Sequence, residues 1–314
     1  MKLKSIVLIL SALFVMQGCD KKVENDINDT NKASEVSESS EQNDQSSIDK
    51  FNQYVDAYND VNKWFWPFDK GPDNSLEEYK KQDFNNGANI SNPSIFLSAD
   101  ALGRAIENVK KAQAMETDGE KFAQIDEVGK KFLAIAEPLF KQATEIKPYF
   151  DSKKYMEDNF ALIKGQNKEF IDRWTQFNVV YHELGNAIST LERQNRLDEI
   201  KYHKDNGNYR AASLKQSLLI ANDLIGAISE SKDAKTDTKV ATLITDLDKE
   251  LANLKKEIDS SNDDKKSSYM SKLDQLNRIL GSARSIKANP NDNDYDSMIR
   301  EYNSLIDFLH MFKY

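Results

Sequence analysis

The chain has 314 residues, a formal charge of -9 and 39% apolar residues, enough for one large or two small domains with a sizeable core. Its one cysteine, Cys19, permits no intrachain disulfide and no cysteine-rich zinc site. The acidic balance argues against nucleic acid as a partner, and 11 Gly with 6 Pro argue against a turn-dense all-β fold.

Residues 1–18 read as a secretory signal. Lys2 and Lys4 supply the positive start, and Ile6 to Met16 form an apolar run broken only by Ser11. That run is shorter than the roughly 20 apolar residues a membrane-spanning helix needs. It ends at Val15-Met16-Gln17-Gly18-Cys19, which resembles the bacterial lipobox. The resemblance implies cleavage between Gly18 and Cys19, with a diacylglyceryl group and an N-acyl chain on Cys19. Each buried CH₂ contributes about 0.8 kcal/mol of membrane affinity, so two or three chains anchor stably where one does not. Cleavage also removes two lysines and leaves a charge of -11. Asp20 resembles an inner-membrane retention signal and Lys21 weakens it, so both the inner and the outer membrane stay open.

Residues 19–47 are expected to form a lipidated cysteine and a disordered acidic tether. Between 20 and 47 only Val23, Ile27, Ala33 and Val36 are apolar, and eight acids face three lysines. Such a segment buries too little apolar surface to offset chain entropy. As a coil it reaches roughly 30 Å.

Residues 48–314 are expected to form an all-α globular domain. Ile48, Phe51, Val55, Tyr58 and Asn62 mark a first helix, ended by Pro67 to Pro72. Asn92-Pro93 reads as a cap and first turn for a helix carrying Phe96, Leu102, Ile106 and Val109. Phe122 to Ile146 mark the next, with Pro138 as a kink. Phe160, Ile163, Asn167, Phe170, Trp174, Phe177, Tyr181, Leu184, Ile188 and Leu191 then alternate at three and four, a coiled-coil-like seam on a long helix expected over about 152–203. Asp205 to Asn208, Asp259 to Asp264, and Asn289 to Asp292 separate the helices that follow. The architecture is a helical bundle of about eight helices, read as two sub-bundles sharing the long one.

Tyr58-Asn59-Asp60, Trp64-Phe65-Trp66 and Tyr302-Asn303 resemble the YiiG-like bacterial lipoproteins, a family built on a domain of unknown function. The resemblance spans 48–314 and implies a helical body displayed on a tether. It carries no catalytic residues.

Catalytic patterns are not met. His182-Glu183-Leu184-Gly185-Asn186 opens like the zinc-binding His-Glu-x-x-His but has Asn186 where the second imidazole belongs. No Gly-x-Ser-x-Gly elbow and no Gly-rich phosphate loop is present. No catalytic residue, metal ligand or dissociable cofactor is expected. Trp64, Phe65, Trp66 and Phe68 form the densest non-periodic apolar cluster, either a recognition ledge or a plug closing the bundle. The expectation is a non-enzymatic envelope lipoprotein. It would bind an envelope protein or polymer, held to the membrane by lipid on its periplasmic face. The alternative is a periplasmic small-ligand or metal-binding carrier with a pocket between helices.

Overall fold

The computed structural model describes residues 33–64, 71–84, 98–117 and 119–311. Gly18, Cys19, Phe65, Trp66 and Phe68 lie outside them, as does the side chain of Trp64. The described residues are all-α, with ten helices and no strand among them. They fall into two compact units, the first ending at Leu191 and the second beginning at Glu192.

The first unit begins with α1 (Ala33–Trp64), α2 (Gly71–Lys80), α3 (Ala99–Ala114), α4 (Gly119–Asp151) and α5 (Tyr155–Asp158). The first part of α6 (Ala161–Asp205) completes it. Of the expected stripe α1 buries Phe51, Val55 and Asn62 and leaves Ile48 and Tyr58 half-buried; Tyr54, Ala57 and Val61 are buried with them, and the helix packs chiefly on α3. It starts at Ala33, inside the segment expected to be a disordered tether. Glu35 stands in its first turn, where an acid favours a helix. The Ser46 hydroxyl donates to the Glu116 carbonyl at 3.1 Å. α3 opens at Ala99 rather than at Pro93. Ser98 is its cap, accepting from the Ala101 N–H at 3.2 Å. Asn92-Pro93 lies outside the described residues.

α6 has 45 residues and is about 68 Å long at 1.5 Å per residue. Its seam is as expected: Ile163, Phe170, Trp174, Phe177, Tyr181, Leu184, Ile188 and Leu191 are all buried. Its start is not. The expected helix from Ser152 is interrupted because Lys153, Asn159 and Phe160 take positive φ of 57°, 50° and 61°. At Lys153 the N–H of Lys154 reaches back to the Tyr149 carbonyl and that of Lys153 to Phe150, which closes α4. The Phe160 ring stacks on Tyr155 at 4.9 Å and tilts against Phe84, contacts that hold a bulky residue in the left-handed region.

The second unit holds the rest of α6 with α7 (Tyr209–Glu230), α8 (Thr238–Asp259), α9 (Lys266–Ala288) and α10 (Asp292–Met311). Beyond Asp205, α6 is closed by Gly207, φ 72°, with the Asn208 N–H bonded back to the His203 carbonyl. Asn208 caps α7 and Asp237 caps α8. Leu218, Leu224, Leu247, Leu254, Leu276 and Met298 form the core between α7, α8, α9 and α10.

Candidate functional site

One polar cluster of the first unit lies where α2 begins. α2 was not apparent in the sequence, where Gly71-Pro72 reads as a break. Gly71 has φ 72°, and the helix continues through Pro72, which needs no N–H in a first turn. Asp73 follows in that same turn, where the helix dipole favours a carboxylate. One Asp73 oxygen accepts from Asn178 Nδ2 at 2.8 Å. The other lies 2.5 Å from His182 Nε2. Asn178 and His182 are four residues apart, so α6 presents both on one side.

Beside them Tyr58 of α1 and Tyr181 of α6 stack at 4.5 Å with planes only 3° apart. Gly185 makes that stack fit, because a Cβ there would stand 2.7 Å from the Tyr58 ring. Burial pushes the Tyr181 hydroxyl well above the usual phenol range, with Tyr58 and Asp73 adding to it. Tyr181 is therefore neutral at physiological pH. Asn178 is only 6% exposed, yet its Oδ1 has no hydrogen-bond partner. Asp73 and His182 are about half exposed, whereas Asn178 is buried.

Tyr58-Asn59-Asp60 joins three helices. Tyr58 faces α6, while Asp60 accepts from Arg104 Nε at 3.0 Å and Asn108 Nδ2 at 3.3 Å on α3. A second polar cluster locks α1 to α3 and α4. Lys50 Nζ is 2.8 Å from Asp126, whose other oxygen accepts from the Tyr54 hydroxyl at 2.7 Å. Gln113 donates to the Tyr54 oxygen at 2.6 Å and to the Asp126 carbonyl at 2.8 Å. This cluster is satisfied and structural in character.

The chain belongs to the DUF3829 family, proteins of unknown function, whose model matches residues 45–304. No curated protein and no solved structure matches it. The DUF3829 match contains Tyr58, Asp73, Asn178 and His182, and Cys19 stands before it. Tyr302, also within the DUF3829 region, is buried against α6, where Arg196 Nη1 donates to its hydroxyl at 3.2 Å.

Of the sequence-level candidates, Cys19 and the Trp64–Phe68 cluster stand outside what the structure describes. His182 is on the helix surface, its Nε2 bonded to Asp73 of α2. His203 is 6% exposed near the end of α6. Burial lowers its pKa, the Lys215 charge lowers it further, and Glu199 opposes both. Among the described residues no three His, Cys, Asp or Glu side chains converge as a metal ion would require. No described helix is long and apolar enough to cross a membrane.

Proposed function

We propose that the chain is a YiiG-like lipoprotein of the bacterial cell envelope, held on the periplasmic face of a membrane by lipid on Cys19, with a helical body that binds rather than catalyses. The observation that carries this reading is Val15 to Cys19, a lipobox at the end of an 11-residue, almost wholly apolar run. The acidic stretch after it supports a spacer, since its net charge of -5 is repelled by an anionic membrane surface. The helical body supports a binding role. Polar contacts in its first unit tie together helices up to 109 residues apart in sequence.

In-cell crosslinking of the full chain tests the binding role, with residues 1–47 on an inert carrier as control. The account expects one envelope component enriched over the control. Equal capture by both contradicts it.

A further inference from the structure

Met156 is 73% exposed, more than any other large apolar side chain among the described residues, and Leu162 is 36% exposed six positions on. Both stand on the α4–α5–α6 corner. That corner has a fixed shape. Tyr155 and Phe160 are buried and stack at 4.9 Å, and the turns at Lys153, Asn159 and Phe160 are closed by backbone bonds to Tyr149, Phe150 and Tyr155.

Charge singles out the same corner. Residues 147–164 hold four lysines against three acids, whereas the rest of 48–191 holds 14 basic residues against 20 acidic ones. Two of the three acids are engaged. Asp151 pairs with Lys147 at 2.6 Å, and Asp158 accepts from the Tyr149 hydroxyl at 2.6 Å. Lys153, Lys154 and Lys164 are exposed and make no ion pair among the described residues. Three lysines therefore face one remaining acid, Glu157, on an otherwise acidic unit.

Whatever covers an exposed methionine among lysines must be apolar and anionic together. An acidic polymer meets the lysines but leaves the methionine in water. An anionic bilayer meets both: acyl chains take the apolar side chains, and ammonium groups reach the headgroups on their own alkyl stems. We propose that the α4–α5–α6 corner docks on the anionic surface of the membrane that holds Cys19. Met156 and Leu162 enter the headgroup boundary, and Lys153, Lys154 and Lys164 meet lipid phosphates. This rests on the lipid-anchor reading above and extends it. The anchor keeps that surface close to the corner, so weak contacts suffice. α4 carries the corner about 38 Å along its axis from Asp126, where it meets Lys50 of α1. The 14 residues from Cys19 to Ala33 extend to at most about 50 Å. One bilayer can thus hold Cys19 and receive the corner, with α4 tilted towards it.

Met156→Cys provides a single reporter, because lipid takes up the chain's one native cysteine, Cys19. The full lipidated chain is labelled at position 156 with a polarity-sensitive fluorophore. It is then inserted into vesicles of phosphatidylethanolamine with phosphatidylglycerol, or of phosphatidylcholine alone. On the anionic vesicles the label should shift to the blue and be quenched by brominated acyl chains. On phosphatidylcholine it should report water. Val179→Cys places the label on another exposed apolar site of α6 and should report water on both. Lys153→Gln, Lys154→Gln and Lys164→Gln together should lower the ratio of docked to free chain about a hundredfold, at about fivefold per lysine.

The proposal is overturned by a label at 156 that reports water on anionic vesicles, by equal signals on the two lipids, or by indifference to the lysine substitutions. A blue shift that grows with protein concentration in detergent, without vesicles, would assign the corner to a second copy of the chain instead. A chain that takes no lipid and does not enter vesicles removes anchor and docking together. A chain that enters vesicles while position 156 reports water removes the docking alone.

Discussion

Two glycines of α6 sit in opposite surroundings. At Gly185 a Cβ would meet the Tyr58 ring at 2.7 Å, whereas at Gly165 nothing lies within 4 Å. Gly185→Ala should break the Tyr58–Tyr181 stack and lose about 1–3 kcal/mol, the usual range for overpacking. Gly165→Ala should instead add up to about 1 kcal/mol through helix propensity. Urea denaturation of the two variants checks the contrast, and equal shifts would refute the packing assigned to Gly185. Lys50 and Asp126 offer a second test. The lysine side chain is only 5% exposed, so Asp126→Ala strands a buried charge. A loss of about 3 kcal/mol is expected on the same assay, near the low end for a broken buried pair.

At the scale of elements, the α4–α5–α6 corner and the end of α6 carry the energetic features. Lys153 closes α4 in the left-handed region, where an L residue is disfavoured by about 1–2 kcal/mol and glycine is not. Lys153→Gly should raise the thermal midpoint, and a fall would mean that its side chain holds the corner.

His203 makes stability depend on pH. Its folded pKa lies below the ordinary value of 6.5, so the unfolded chain binds the proton more readily. The stabilisation from neutral His203 is complete above that ordinary value. It is lost as pH falls from there towards the lowered folded value. His203→Gln should flatten this decline in urea midpoints measured between about pH 7.5 and about pH 5. An unchanged slope would assign the decline to other groups.

The seam of α6 was legible because burial repeats at three and four residues. It ends at Leu191, where the first unit also ends. The break at Phe160 was not legible. An apolar residue at a seam position gives no sign that tertiary contacts hold it at positive φ. α2 was hidden because Gly-Pro signals an ending and a beginning alike.

For the whole molecule, two compact helical units agree with the two sub-bundles expected from the sequence, with α6 contributing residues to each. Hydrophobic periodicity carries that much because it is local. The Asp73–His182 contact joins residues 109 apart, and no spacing rule reaches so far. Reading His182 along its own helix led to Asn186 and a failed metal motif. Its actual partner comes from a helix that begins where the sequence shows only a break.

The proposed membrane attachment belongs to this scale, since it would decide where both units work. The central claim is that Cys19 carries the anchor. Growth with an alkyne-tagged fatty acid, followed by mass spectrometry of the N-terminal peptide and membrane fractionation, tests it most directly. The account predicts a mature chain beginning at Cys19, acylated and recovered with membranes. It also predicts that Cys19→Ser is unlabelled and leaves the membrane fraction. An unmodified Cys19 in the mature chain, or a Cys19→Ser chain that stays equally membrane-bound, would contradict it.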